Sequence, residues 1–263
     1  MEYYQAGEVL VINCENKLLP FRNQKNFKNV MVKSYKTIQR KNPNGILMNG
    51  SDGKPLYDIG FINVFEKAVV DDNIKCIVVE SFTRVCELLE LYIDKTLQLT
   101  GYTKWDYYLD ELMRVLLTVS GNCPKPIIWT ALPEITIDSD GVRMETTAVS
   151  GKLKGKIESY FEIVLCNSID DKAKELSDRY LFTIRSNGKN SAKVPAELYN
   201  EKVRSIPNDI NAVLNEIRKM YGVKITDEFH YPKILILGRS GMGKSSSLRN
   251  LVKGEDDATT ETK

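Results

Sequence analysis

The segment GRSGMGKSS, close to the last residues of the printed chain, is the feature that most constrains the fold. It fits the spacing GxxxxGK[ST] through Gly238, Gly243, Lys244 and Ser245, and the apolar run PKILIL precedes it. In this pattern the glycines let consecutive backbone N–H groups curl around a phosphate, while the lysine reaches the terminal phosphates and the hydroxyl ligates magnesium. We therefore predict an ATP and Mg²⁺ site on a strand–loop–helix unit, in preference to a chance glycine-rich turn.

We call residues 238–246 the phosphate loop. The predicted nucleotide-binding residues are its members, Gly238, Arg239, Ser240, Gly241, Met242, Gly243, Lys244, Ser245 and Ser246. A strand that carries such a loop belongs to a parallel sheet, whose neighbouring strands bring the remaining polar groups. Only a predicted helix over residues 245–252 and a polar tail follow the loop. Either the chain has been cut early inside a second domain, or the missing strands lie upstream and the order of the elements is rotated.

Upstream of the loop, apolar runs typical of buried parallel strands alternate with amphipathic helical patterns. The strand-like runs are EVLVIN, IKCIVV, KPIIWTAL and two later segments over residues 161–166 and 179–184, and the helical patterns cover residues 59–70, 84–99, 104–119 and 210–220. Asp209 is a helix start signal and Gly222 a stop signal. Residues 135–151 have the composition of a polar, turn-rich loop, and residues 152–160 that of a short helix. We predict an α/β fold with a mainly parallel sheet flanked by helices.

Two acidic residues follow predicted strands, at the edge where ligands bind in open parallel sheets. Glu80 ends the run IKCIVVE and precedes Ser81. An apolar strand that ends in an acid is the pattern of the Walker B strand, which holds magnesium. An ordinary strand end is the competing interpretation. Glu15 follows EVLVIN in the context NCENK, where a solvated loop acid is the alternative.

Composition argues against several other classes of protein. The formal net charge is only +2, so there is no whole-protein basic field of the kind typical of nucleic-acid binding. Five scattered cysteines and a single histidine argue against a zinc site and are typical of free thiols in a reducing cytoplasm. No apolar run approaches the roughly 18 residues of a membrane helix, and no signal peptide pattern is present. We expect a soluble cytoplasmic protein without a membrane partner.

One basic stretch, residues 22–41, contains no acid. Its candidate DNA-binding residues are Arg22, Lys25, Lys28, Lys33 and Lys36. Phe21, Phe27 and Tyr35 are interleaved with them, a combination that suits a single-stranded groove in which cations follow phosphates and rings stack on bases. An ordinary lysine-rich, solvated surface is the alternative interpretation.

Read from the phosphate-loop strand onward and then from the N-terminus, the chain has a recognisable order of segments. The segments are PKILILGRSGMGKSS, EVLVINCENKLLP, IKCIVVESFTR, KPIIWTALPE and GKLKGKIESYFEIVL. In this rotated order the chain resembles the RecA-like ATPases, most closely phage-encoded nucleotide-binding proteins related to Sak-type single-strand annealing recombinases. The resemblance covers nearly all of residues 8–252, and it implies a circularly permuted RecA-like domain over residues 1–253. Residues 223–231 would then be the linker that joins the original ends, and residues 254–263 a disordered tail.

The resemblance also implies roles for individual residues. Glu15 matches the general base that polarises the attacking water, and Thr130 matches the position that senses the γ-phosphate. Glu80 matches the Walker B acid that holds magnesium with Ser245, although the family usually has Asp there. Lys152, Lys154 and Lys156 match lysines that reach the nucleotide of a neighbouring subunit, and a solvated lysine face is the alternative interpretation. Residues 135–151 have the position of a DNA-binding loop.

From this resemblance we expect an ATPase that binds single-stranded DNA for annealing or recombination in a phage context, in the host cytoplasm. It would assemble as a homo-oligomer with each nucleotide between subunits. Two alternatives stay open. Because Glu80 is one methylene longer than Asp and shifts the water that bridges to magnesium, the chain could be a nucleotide-dependent switch or scaffold with little turnover. The second alternative is a truncated NTPase behind an unrelated N-terminal interaction domain.

Overall fold

The computed structural model describes residues 1–137, 141, 143–175 and 178–253. The strands are β1 (Val9–Asn13), β2 (Lys28–Met31), β3 (Ile38–Gln39), β4 (Tyr57–Asp58), β5 (Cys76–Glu80), β6 (Ile127–Ala131), β7 (Pro133–Ile137), β8 (Arg143–Thr147), β9 (Ile163–Ile169), β10 (Tyr180–Thr183), β11 (Ser205–Pro207) and β12 (Ile234–Leu237). The α-helices are α1 (Phe61–Val70), α2 (Phe82–Tyr92), α3 (Gly101–Met113) and α4 (Ile210–Tyr221). Two π-helical segments, Ile93–Leu97 and Arg114–Val119, continue α2 and α3.

Eight of these strands form one mostly parallel sheet in the order β11–β10–β9–β12–β6–β5–β1–β2. The strands from β9 to β2 in that order pair in parallel, and β10 and β11 add an antiparallel edge. β12, which leads into the phosphate loop, pairs with β6 on one side and β9 on the other. The strand before the loop therefore lies inside the sheet, and β1 belongs to the same sheet, separated from β12 by β6 and β5.

Both faces of the sheet are covered, which explains why its central strands are predominantly apolar. Along β1, Leu10 and Ile12 join the core beneath α1, α2 and α3, while Val9 and Val11 join a second core beneath α4. This alternation follows from the pleat, which points successive side chains to opposite faces. The predicted α/β architecture with a mainly parallel sheet and flanking helices is confirmed.

The signals for α4 are confirmed in detail. The Asp209 carboxylate accepts hydrogen bonds from the backbone N–H groups of Asn211 and Ala212, at 2.9 and 3.2 Å. Gly222 ends the helix at φ 68°, a left-handed conformation that glycine adopts without a steric penalty. No strand or helix covers the predicted linker, residues 223–231.

Residues 135–151 were predicted as a polar, turn-rich loop, and this prediction was wrong for residues 135–137 and 143–147, which form strands. β7 and β8 pair in antiparallel register from Pro133 opposite Thr147 to Ile137 opposite Arg143. Ile135 and Ile137 of the hairpin are 48% and 65% exposed. The hairpin therefore lacks a buried apolar face, which is the feature that would have marked its strands in the sequence. The helix predicted after the phosphate loop is a 3-10 helix, Ser245–Leu251, and the segment 152–160 contains 3-10 turns. The predicted disordered tail, 254–263, lies outside the described residues.

Candidate functional site

The phosphate loop leaves the C-terminal end of β12 in a conformation that needs its glycines. Gly241 and Gly243 have φ of 78° and 84°, in the left-handed region that other residues rarely enter. A Cβ atom on Gly238 would lie 2.7 Å from the Cβ of Asn167, and one on Gly243 would lie 2.7 Å from Nδ2 of Asn208. Each of these glycines therefore allows a backbone course that a larger residue would disturb.

Lys244 folds back over the loop that carries it. Its ammonium donates hydrogen bonds to the carbonyl oxygens of Gly238 and Arg239, at 2.6 and 3.1 Å, and the residue is buried. Burial lowers the pKa of the Lys244 ammonium, while the nearby carboxylates of Glu80 and Glu15 act in the opposite direction. The loop thus holds a partly desolvated cation at its centre, which is the charge that a phosphate would meet.

Glu80, at the end of β5, faces the phosphate loop across β6. Its Oε1 accepts a hydrogen bond from the Ser245 hydroxyl at 2.8 Å, and its Oε2 accepts one from the Thr130 hydroxyl at 2.9 Å. Burial raises the pKa of the Glu80 carboxyl, although both hydrogen bonds favour its ionised form. The side chain of Ser245 and the carboxylate of Glu80 are therefore adjacent oxygen ligands of the kind that magnesium prefers.

Glu15 lies in the turn after β1, beside the chain that leaves β5. The Ser81 hydroxyl donates a hydrogen bond to Oε1 of Glu15 at 2.7 Å and accepts one from the backbone N–H of Arg84 at 3.3 Å. Ser81 therefore caps α2 and orients Glu15 at the same time. The second oxygen, Oε2, lies 3.6 Å from the ammonium of Lys17.

These groups open on a single cleft of about 360 Å³ at the C-terminal edge of the sheet. Its lining includes Glu15, Lys17, Glu80, Lys244, Ser245 and Ser246. Three separate strands, β1, β5 and β12, deliver these residues, because the carboxyl ends of parallel strands meet at one edge. The structure thus brings together the loop and both acids that the sequence singled out.

Part of the phosphate loop faces a second cleft, of about 470 Å³, on the side of the β7–β8 hairpin. Arg239 and Met242 line it, and the Arg239 guanidinium forms an ion pair with Glu145 of the hairpin. Asn167, at the floor of this cleft, donates a hydrogen bond from Nδ2 to the carbonyl oxygen of Met242 at 2.7 Å. The hairpin and the phosphate loop are therefore in direct contact.

Thr130 is fully buried and is not among the residues that line the phosphate-loop cleft. Its hydroxyl holds Glu80, as described above, and a role in sensing the γ-phosphate stays a prediction. None of the three predicted trans-acting lysines lines the cleft of its own chain. Lys152 lies 3.9 Å from Asp106, and Lys154 lies 2.9 Å from Glu134. Their role toward a neighbouring subunit also stays a prediction.

The basic stretch has exposed cations, but two of its three interleaved aromatic rings are buried. Tyr35 is fully buried, with its hydroxyl donating to Oε1 of Glu111 at 2.9 Å, and Phe27 is buried in the opposite core. The expectation that these two rings stack on bases was therefore wrong, since their apolar faces are used for packing. The predicted contacts Arg22, Lys25, Lys28 and Lys33 are exposed, and Lys36 is half-buried with its ammonium 5.6 Å from the Tyr92 ring centroid.

Sequence reasoning missed three residues around the cleft. Tyr180 and Asn208 lie against Gly243, and Nδ2 of Asn208 donates a hydrogen bond to the Gly243 carbonyl oxygen at 3.1 Å. No local signal points to either residue, because both belong to the antiparallel edge of the sheet and the connection that follows it. Lys17 lines the cleft as well, and its position two residues after Glu15 was a usable signal.

Within the described ranges, no cluster of three or more His, Cys, Asp or Glu residues could hold a metal ion. A magnesium ion bound with a nucleotide does not require such a cluster, since it takes one or two protein ligands together with phosphate oxygens and water. Across the same residues, no helix combines the length and the apolar character needed to cross a bilayer.

Thr130→Val is expected to lower the free energy of unfolding by about 1–3 kcal/mol, because Oε2 of buried Glu80 loses its donor. Thr146→Val is the matched control. Thr146 is also buried, and its hydroxyl has no hydrogen-bond partner among the described residues, so its replacement should leave stability unchanged or raise it. Urea unfolding of the two variants measures the difference, and equal effects would show that the Thr130–Glu80 bond contributes nothing.

Comparison of the chain with protein-family models, with curated proteins and with solved structures returned no match.

Proposed function

We propose that this chain is a RecA-like ATPase with circularly permuted elements, which binds ATP with Mg²⁺ and acts on single-stranded DNA. The contact between Ser245 and Glu80 carries the proposal. A hydroxyl of the phosphate loop donates to a carboxylate that lies 165 positions away in the sequence. A loop hydroxyl beside a strand-end carboxylate is the pair that shares magnesium in P-loop NTPases.

The order of the strands supports the same assignment. The run β9–β12–β6–β5–β1 is parallel, with the loop strand inside it and the acid-bearing strands β5 and β1 on one side. The acids Glu80 and Glu15 therefore come from strands that do not touch β12, yet both reach the cleft above it.

Contacts between the chain ends support the permutation. The backbone N–H of Tyr4 donates to the carbonyl oxygen of Leu251 at 2.9 Å, and Nδ2 of Asn23 donates to the carbonyl oxygen of Val252 at 3.1 Å. Residues 251 and 252, after the phosphate loop, thus lie beside residue 4, which leads into β1, and beside residue 23, which follows β1. A surface connection of this kind can be opened without breaking the sheet.

In the proposed reaction the residues of this chain have separate tasks. The phosphate loop binds the triphosphate, and Lys244 exchanges its bonds to loop carbonyls for bonds to phosphate oxygens. Glu15, held by Ser81, accepts a proton from the water whose oxygen attacks the γ-phosphorus. The bond from the γ-phosphorus to the bridging oxygen breaks, and its electron pair leaves with ADP. Ser245 and Glu80 would hold Mg²⁺, which supplies positive charge against the phosphate oxygens.

A nucleotide-dependent switch with little turnover is the second candidate function. It is favoured by Glu80, which stands where Asp is usual and whose two carboxylate oxygens each already accept a hydrogen bond. The direct 2.8 Å contact with Ser245 favours binding of magnesium under either reading. Turnover separates the two candidates.

The proposed action on DNA and the proposed assembly rest on surface features. The exposed cations of the basic stretch lie on and around β2, at one edge of the sheet, while the β7–β8 hairpin lies beside the phosphate loop. Lys152, Lys154 and Lys156 are not used at the cleft of their own chain, which leaves them to act on a neighbour. These placements support a homo-oligomer on single-stranded DNA with nucleotide between subunits.

The test is ATP turnover with Mg²⁺, in the presence and absence of single-stranded DNA, together with particle size under each condition. We expect measurable turnover, stimulated about tenfold by DNA, which is the scale of an ordinary coupling between two sites. Particle size should increase when ATP and DNA are both present. Tight ATP binding without turnover would favour the switch, and no ATP binding would reject both candidates.

A further inference from the structure

The turn after β1 brings a second cation into the phosphate-loop cleft. Lys17 lines the cleft together with Glu15 and Lys244, and its ammonium is 3.6 Å from Oε2 of Glu15. The Lys17 charge lowers the pKa of the Lys244 ammonium, whereas Glu15 raises it, so all three groups share one electrostatic environment. No role in the proposed reaction has yet been given to Lys17.

Two asparagines hold the backbone of the turn that carries Lys17 through hydrogen bonds. Asn13 is buried, and its Nδ2 donates to the carbonyl oxygen of Lys17 at 2.6 Å. Asn16 has φ 55°, in the left-handed region that Asn tolerates better than most residues, and its Nδ2 donates to the carbonyl oxygens of Cys14 and Val32. These bonds hold the backbone so that the side chains of residues 15 and 17 both reach the cleft.

A buried acceptor on the same wall points to a ligand. Oδ1 of Asn13 has no hydrogen-bond partner among the described residues, although Asn13 is 1% exposed and lines the cleft. Buried polar atoms are nearly always paired, so this oxygen is expected to accept a bond from a donor in the cleft, such as the attacking water, because an ionised γ-phosphate has only acceptors. It lies on the residue that also fixes the backbone of Lys17.

The ion pair of Lys17 with Glu15 does little to hold the fold. The Lys17 side chain is 76% exposed, and exposed pairs at this separation are easily exchanged because water screens both charges. A long, exposed ammonium beside a carboxylate and a phosphate loop is placed where an anionic ligand could compete with the carboxylate for it.

We infer that Lys17 recognises the γ-phosphate of ATP. When ATP binds, the Lys17 ammonium moves from the Glu15 carboxylate to a γ-phosphoryl oxygen. When ADP is bound, it stays on Glu15. This inference rests on the proposed function. The exchange frees the Glu15 carboxylate to take the proton of the attacking water. It also places a positive charge beside the γ-phosphoryl oxygens, over which negative charge is spread in the transition state while the bond to the bridging oxygen breaks and its electron pair leaves with ADP. Whether ATP or ADP is bound thereby decides whether the Glu15 carboxylate is free to act as the base.

The test compares Lys17→Ala and Lys17→Arg with the matched control Lys219→Ala. Lys219 is 79% exposed and lies 3.9 Å from Glu216, so it is a similar exposed lysine–carboxylate pair away from the cleft. Affinities for ADP and for a non-hydrolysable ATP analogue are measured, together with single-turnover hydrolysis. We expect Lys17→Ala to weaken the analogue about tenfold and to slow hydrolysis about 100-fold, with ADP affinity unchanged. Lys17→Arg should recover most of the analogue affinity, and the control should behave as wild type.

An equal loss of affinity for ADP and for the analogue would overturn the inference, since it would assign Lys17 a role in shaping the turn. Unchanged analogue affinity and rate would overturn it as well. If the wild-type chain binds ATP through Lys244 but Lys17→Ala has no effect, only the inference fails. If the wild-type chain binds neither nucleotide, the proposed function fails and the inference with it.

Discussion

Lys244→Ala is expected to weaken ATP binding at least about 100-fold, because two or more charge-assisted hydrogen bonds to phosphate are lost. The protein should still fold. Among the described residues, the Lys244 ammonium donates only to carbonyl oxygens of its own loop, and burial opposes its charge by lowering its pKa. The expected result is a stable variant whose melting temperature no longer rises when ATP and Mg²⁺ are added.

Lys125→Ala is the matched control for this experiment. The Lys125 ammonium also donates to two backbone carbonyl oxygens, those of Ala68 and Asp71, at 3.0 and 2.7 Å, and burial lowers its pKa too. It precedes β6, at the end of the sheet away from the phosphate loop. This variant can lose stability but should keep the full thermal shift with ATP. A Lys244→Ala protein that keeps the shift would contradict the assignment of the phosphate loop.

Glu15→Gln is expected to reduce single-turnover hydrolysis by about 10²–10⁴-fold, the range of a lost general base, while ATP affinity changes by less than about threefold. Glutamine has the same length, and its amide oxygen can still accept the hydrogen bond from Ser81, so the turn should keep its shape. The variant should therefore accumulate as a complex with unhydrolysed ATP. Rapid quenching followed by separation of ATP and ADP measures the rate directly.

Glu162→Gln controls for the loss of a carboxylate elsewhere. Glu162 immediately precedes β9, at the opposite end of the sheet, where its carboxylate lies 3.2 Å from the ammonium of Lys233. Hydrolysis by this variant should match that of wild type. Wild-type rates in Glu15→Gln would show that another group accepts the proton, and a parallel loss of ATP affinity would make Glu15 a binding residue instead.

Much of the fold was predictable because its signals are local. Strands buried on both faces appear as unbroken apolar runs, and the phosphate loop has a fixed spacing of glycines, lysine and hydroxyl. The start of α4 at Asp209 and its end at Gly222 follow from hydrogen bonds and backbone angles within a few residues. Glu80 and Glu15 could be singled out because each follows such a run.

Other features could not be predicted, since they depend on residues far apart in the chain. Phe27 and Tyr35 are residue types that can stack on bases, yet both rings pack inward. Tyr35 belongs to the core beneath α1, α2 and α3, and Phe27 to the core beneath α4. The β7–β8 hairpin lacks a buried apolar face and is stabilised by pairing between its own strands and by contact with the phosphate loop. The position of Thr130 behind Glu80 depends on the adjacency of β5 and β6.

The sequence by itself determined the buried parallel strands, the amphipathic helices, the phosphate loop and the two acids at strand ends, Glu80 and Glu15. Tertiary structure alone decided that β12 lies between β6 and β9, and that Glu80 meets Ser245 while Lys17 meets Glu15 in one cleft. The physical reason is that apolar periodicity specifies which face of a strand is buried but not which strand lies beside it. The packing of the whole sheet decides which strands are neighbours. It thereby places the phosphate loop beside Glu80 and Glu15 in one cleft.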